Sequence, residues 1–149
     1  MIFTINKTPK GVSKVFVGKV VQTILVGERR PKEIIEIVFL TKLEIKKLNQ
    51  HYRKNNHLTD VLSFAGEGKT RFPLISGQTK FLGQIAICWP KVMANAKNYS
   101  VLPQEELTRV IVHGILHLLG YDHETDGKKA GRMAKKQEQY VFKALNISR

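Results

Sequence analysis

Three of the five histidines of the chain lie in one short stretch, His113-Gly114-Ile115-Leu116-His117-Leu118-Leu119-Gly120-Tyr121-Asp122-His123. On a helix, His113 and His117 differ by about 40° around the axis and ~6 Å along it, so both imidazoles can reach one metal ion from one face. Gly120 then ends the helix, because glycine takes the left-handed conformation that closes helices. The chain can fold back there, and His123 can supply a third nitrogen. Three neutral imidazoles leave one tetrahedral position open, which is the catalytic rather than the structural zinc pattern.

A helical wheel sharpens this expectation. From Val110 to Leu119, apolar side chains cover almost the whole circumference, and the His113/His117 stripe is the only ionisable interruption. A helix apolar all round is normally buried, so two imidazoles on it need partners or a cleft. Asp122 can orient an imidazole by accepting its other N–H, or bond to turn amides. In H-E-x-x-H zinc proteases the residue after the first His is the general base. Here it is Gly114, which disfavours a protease that relies on that Glu. His51 and His57 sit near a helix end and in a loop, where solvated or loop-bonded histidines are ordinary. Cys88 ends an apolar strand and is expected simply to pack.

The elements that must position these residues follow from periodicity and punctuation. Strands are expected over residues 2–6, 34–40, 60–64 and 82–88. Helices are expected over 12–26, 41–52, 91–99, 103–119 and 126–145. Gly27 is a candidate stop for the first helix, followed by an Arg29-Arg30-Pro31 linker. Thr41 and Glu44 form a capping-box pattern at the second helix. Pro90 opens the third. A loop rich in Gly, Lys, Thr, Pro and Ser spans about 65–80. Strands and helices are interspersed, as in an α/β or α+β layer fold.

A length of 149 residues fits one domain, and 42% apolar residues suffice for a core. One cysteine excludes an internal disulfide. No apolar run approaches the ~20 residues that cross a bilayer, and the N-terminus turns polar too early for a secretory signal, so a cytoplasmic protein with no membrane partner is expected. The net charge of +13 points to a polyanionic partner. The charge is uneven: residues 104–123 carry one basic and three acidic side chains, while residues 1–33 carry seven against two. A basic surround encloses a net-acidic, histidine-bearing stretch.

H-G-x-L-H-L-x-G-Y-D-H resembles the signature of the YbeY endoribonucleases, bacterial rRNA maturation factors. Leu48-Asn49, Tyr52-Arg53 and Thr59-Asp60-Val61-Leu62-Ser63-Phe64 resemble the family's second block. Leu82-Gly83 with Ile85 and Ile87 resemble its third, and Met133 and Glu138 fit its C-terminal helix. The resemblance spans about Leu48 to Leu145. It implies an α+β fold over residues 1–149, a single domain with a mixed sheet of about four strands, flanking helices and the metal site on the central helix. It implies zinc on His113, His117 and His123, with other divalent ions such as nickel also suited to imidazole. It implies cleavage of single-stranded RNA in maturation of the 16S rRNA 3′ end and in ribosome quality control, on or near the small ribosomal subunit. The family's functional arginine falls on Arg53, and Arg53 and His113 are the candidate catalytic residues. Two positions depart from the pattern: Gln84 stands where the family usually has Asp, and Ala65 where it usually has Pro. An amide cannot match a carboxylate in charge or proton transfer, though it still hydrogen-bonds.

The expected chemistry is a zinc-activated water or a Lewis-acid metal promoting attack at a phosphodiester, with Arg53 offering its planar fork to the phosphate oxygens. Water and the RNA's own 2′-OH both remain open as nucleophile. Two other readings compete: a zinc hydrolase of another substrate such as a peptide, and a non-catalytic RNA- or ribosome-binding factor whose metal only holds the fold. Metal removal would unfold the last of these.

Overall fold

The computed structural model describes residues 2–54, 57–66, 81–121 and 127–147. The expected loop lies outside this description from residue 67 to 80, and so do Asp122 and His123. The elements run β1 (Ile2–Asn6), α1 (Lys14–Gly27), β2 (Ile34–Leu40), α2 (Lys42–Arg53), β3 (Val61–Ala65), β4 (Phe81–Cys88), α3 (Trp89–Asn98), α4 (Pro103–Leu118) and α5 (Gly127–Ile147). This is an α+β fold with a mixed sheet in the order β1-β2-β4-β3. β1, β2 and β4 are parallel, and β3 pairs antiparallel with β4 at the sheet edge.

Alternation along the strands divides the core. Ile35 and Ile37 of β2 and Ile85 and Ile87 of β4 face a large cluster with residues of α1, α3, α4 and α5. The intervening Ala86 and Cys88 face the other side, where Ile45 of α2 and Leu62 of β3 complete a smaller cluster. Among the described residues, four helices therefore cover one face and α2 covers part of the other. α2 begins as its sequence demands: the Thr41 hydroxyl accepts from the Glu44 N–H at 3.1 Å, and the Glu44 carboxylate accepts from the Thr41 N–H at 3.0 Å.

Gly27 ends α1, as expected, and the residue that caps the helix is Glu28. Gly27 is needed because a Cβ there would lie 2.5 Å from the Tyr140 hydroxyl oxygen of α5. The glycine permits a close approach of two helices rather than a left-handed stop.

That approach builds an anchor. The Glu28 carboxylate accepts from the Tyr121 hydroxyl at 2.7 Å and from the Tyr140 hydroxyl, and lies 3.4 Å from Lys136 Nζ. Burial pushes the Glu28 pKa up, but the two tyrosine hydrogen bonds and the Lys136 charge outweigh it and leave the pKa below its ordinary 4.5. A carboxyl depressed in the folded state stabilises above its unfolded pKa, and that contribution is lost as pH falls through the folded value. Urea unfolding should therefore show stability falling as pH is lowered below 4.5. Glu28→Gln should lower stability at neutral pH and make that acid-side fall shallower.

Candidate active site

α4 packs on the sheet through Gly114, where a Cβ would lie 3.2 Å from the Ile85 side chain. This seats the apolar sides of α4 on β3, β4 and the neighbouring helices and leaves His113 and His117 half-buried along one stripe. The two Nε2 atoms face each other 3.1 Å apart, with ring centroids at 4.6 Å. Two nitrogens ~2.0–2.1 Å from one ion at a tetrahedral angle lie about 3.3 Å apart. The pair is thus already close to the edge of a tetrahedron, so the residues present fit a tetrahedral metal. Among the described residues no third His, Cys, Asp or Glu joins them. The third candidate, His123, lies outside those residues. Just before it, Gly120 has φ +96°, the left-handed turn expected of it. Tyr121 is tied to Glu28, which fixes the chain two residues before His123.

The sequence pattern did not expose Gln137. Its Oε1 lies 2.8 Å from His113 Nδ1. An amide oxygen there requires Nδ1 to carry the proton, which leaves Nε2 as the lone-pair nitrogen turned to His117. Beside it, Glu138 holds Arg109 of α4 with contacts of 2.9 and 3.0 Å. That hydrogen-bonded charge keeps the Glu138 carboxyl below the ordinary range. α5 is thus clamped to α4 next to His113, and Gln137 is delivered to the ring. No motif joins residues 24 positions apart on different helices. Gln137→Leu keeps the bulk and removes the acceptor. It should weaken metal binding or activity roughly 10- to 100-fold, read by titrating metal into the apoprotein.

Arg53 ends α2 on the other side of the sheet. Its guanidinium donates to the Ser63 carbonyl at 2.6 Å and lies 5.5 Å from the Phe64 ring centroid. Ser63 in turn donates from its hydroxyl, at a long 3.4 Å, to the carbonyl of Gly114 between the histidines. β3 is the edge strand of the described sheet, so the carbonyl that Arg53 holds lies at that edge, one residue from the Phe64 side chain on the α2 face. Asn49, 5% exposed, donates to the His57 carbonyl at 2.9 Å and closes the loop that leads from α2 into β3.

The other sequence candidates are not brought to the pair. His51 is exposed on α2 and packs edge-on against Tyr52, and His57 is exposed in the following loop. Cys88 is buried in the α2 cluster, where burial pushes its thiol pKa up. Gln84 points to the α2 face, and its amide donates to the Glu36 carboxylate at 2.6 Å. Asp at this position would set two carboxylates against each other, whereas the amide is a neutral donor that suits Glu36. An open groove between α1 and α5, lined by Lys19, Gln22, Thr23, Val26 and Lys143, contains none of the histidines.

A family model described as endoribonuclease YbeY matches residues 4–145, including both histidine-bearing turns of α4, the Arg53 turn and α5. The chain belongs to the YbeY family. The match reaches back through β1 and α1, beyond the stretch in which the motifs resemble the family. A YbeY endoribonuclease of Chloroflexus aurantiacus is 38% identical over 146 residues, 95% of each chain. One of Roseiflexus castenholzii is 37% identical, covering 87% of this chain and 81% of its own. The chain also resembles a Thermotoga maritima protein solved in solution, with a TM-score of 0.65 at 30% identity over 99% of this chain and 91% of the other.

Proposed function

We propose that this chain is a metal-dependent endoribonuclease that cuts single-stranded RNA in rRNA maturation. Its site is the 16S rRNA 3′ end, and it acts also in ribosome quality control on the small subunit, in the cytoplasm. The observation that carries this reading is the opposed Nε2 pair of His113 and His117, 3.1 Å apart, in a chain of the YbeY family. Zinc is the resident ion of this reading, held by His113, His117 and His123. When bound, it supplies Lewis acidity at the phosphate and lowers the pKa of water.

The residues of the chain do the remaining work. Gln137 accepts from His113 Nδ1, so Nε2 is the nitrogen that the ring turns to the site. Arg53 spends one donor on Ser63 and offers the rest of its fork to the non-bridging phosphate oxygens, where negative charge grows during cleavage. The basic segments around the histidine stretch hold the RNA by its phosphates, while the stretch itself carries little positive charge to oppose a cation.

Single-stranded RNA, duplex RNA and unstructured peptides, each offered at equal protein concentration with and without chelator, test this function. Single-stranded RNA alone should be cut, and chelation should stop it. Peptide cleavage, or RNA cleavage that ignores chelation, overturns the proposal. The product ends then name the nucleophile, since a 2′,3′-cyclic phosphate marks attack by the RNA's own 2′-OH.

A further inference from the structure

The sheet face covered by α2 carries an aromatic group whose packing does not explain it. Tyr52, in the last turn of α2, is 61% exposed. The apolar cluster beneath α2 is already closed by Ile45, Leu62, Ala86 and Cys88, with Leu48 and Phe64 against it. Tyr52 stands outside that cluster, edge-on to Phe64 with ring centroids 5.3 Å apart. Phe64 and Arg53 meet at 5.5 Å, so Tyr52, Phe64 and Arg53 form one group beside β3, the edge strand of the described sheet.

This group is joined to the histidines through a single residue. Arg53 holds the Ser63 carbonyl, and the Ser63 hydroxyl reaches the Gly114 carbonyl between His113 and His117. Ser63 pairs with Ile85 and faces α4, while Phe64 pairs with Gln84 and faces α2. A strand of RNA crossing the β3 edge at Arg53 would meet the imidazoles on one side and the Tyr52 ring on the other.

We infer that Tyr52 is a stacking platform for one unpaired base next to the scissile phosphate, held by Arg53. The inference rests on the endoribonuclease reading and deepens it. An exposed aromatic ring accepts any base, because every base has a π-face, and only a base free of its own duplex stack can lie on it. Tyr52 thereby selects single-stranded substrate without selecting sequence. It binds substrate and takes no part in proton transfer.

Steady-state cleavage of a single-stranded oligoribonucleotide tests this. Tyr52→Ala should raise KM roughly 5- to 100-fold with kcat little changed. Tyr52→Phe and Tyr52→Trp should keep KM near the wild type, since each retains a ring. An abasic residue walked along the same oligonucleotide should weaken wild-type binding at one position and leave Tyr52→Ala indifferent there. An unchanged KM in Tyr52→Ala overturns the inference, as does a Tyr52→Phe variant as impaired as Tyr52→Ala. The exposure of Tyr52 leaves the fold intact in all three variants, and circular dichroism checks this. If the wild-type chain cuts no RNA, the endoribonuclease reading itself fails. If it cuts RNA and Tyr52→Ala matches it in KM, only the stacking platform fails.

Discussion

His117→Ala should lower RNA cleavage by more than ~100-fold and leave the circular dichroism of the chain unchanged. The size follows from where the side chain sits. His117 Nε2 faces His113 Nε2 at 3.1 Å, so truncation takes one of the two opposed donors out of the site. Removing a group that only orients a metal ligand already costs about 10- to 100-fold, and removing the ligand itself costs more. The fold should survive because His117 is half-buried on the polar stripe that interrupts the apolar run Val110 to Leu119. Ile111, Ile115 and Leu116, each with no exposed surface, hold the rest of the helix on the sheet. Elemental analysis of the purified variant should show the metal lost together with activity, and chelation of the wild type should reproduce the loss. Cleavage at the wild-type rate by His117→Ala would remove the histidine pair from the chemistry. Unfolding of the wild type on chelation would make the metal a structural one.

Local signals in this chain were legible in its sequence and distant ones were not. β2 matches the apolar run 34–40 end for end. The Thr41/Glu44 box forms both of its hydrogen bonds. The four-residue spacing of His113 and His117 delivers two facing nitrogens because both residues ride on the same helix turn. Each of these is decided within a few residues, where backbone periodicity alone sets the geometry. Gln137 was not legible, since its contact with His113 depends on how α5 docks on α4. Gly27 does end α1, as its place in the sequence suggests, but the reason for glycine there is not local: it is Tyr140 on a distant helix. Arg53 occupies a middle ground. Composition and spacing make it an ordinary helix-end arginine, and family resemblance singled it out. The structure adds why it is held, through an edge-strand carbonyl that register with β4 leaves open.

Gly114→Glu should destabilise the chain by about 3 kcal/mol or more and create no peptidase. Position 114 is where H-E-x-x-H proteases carry their general base, so this substitution writes that motif into the chain. The packing forbids it to work. Gly114 is buried against β4, and a Cβ there already meets the Ile85 Cδ1 and Cγ2 atoms at 3.2 Å. Ile85 has no exposed surface and sits in the main core, so it cannot swing aside as a surface side chain would. Beyond the Cβ, the Glu side chain would carry a carboxylate into the apolar layer between α4 and the sheet, where Ile85 and its buried neighbours surround it. Relief of the glycine penalty in mid-helix returns only about 1 kcal/mol. Gly114→Ala separates the two effects. It keeps the helix gain and the 3.2 Å contacts but adds no charge, so its stability should stay within about 1 kcal/mol of the wild type. Urea midpoints of the three proteins measure this directly. A Gly114→Glu protein as stable as the wild type would mean that α4 can lift from Ile85. The histidine stripe would then not be set by the seating of this helix on the sheet.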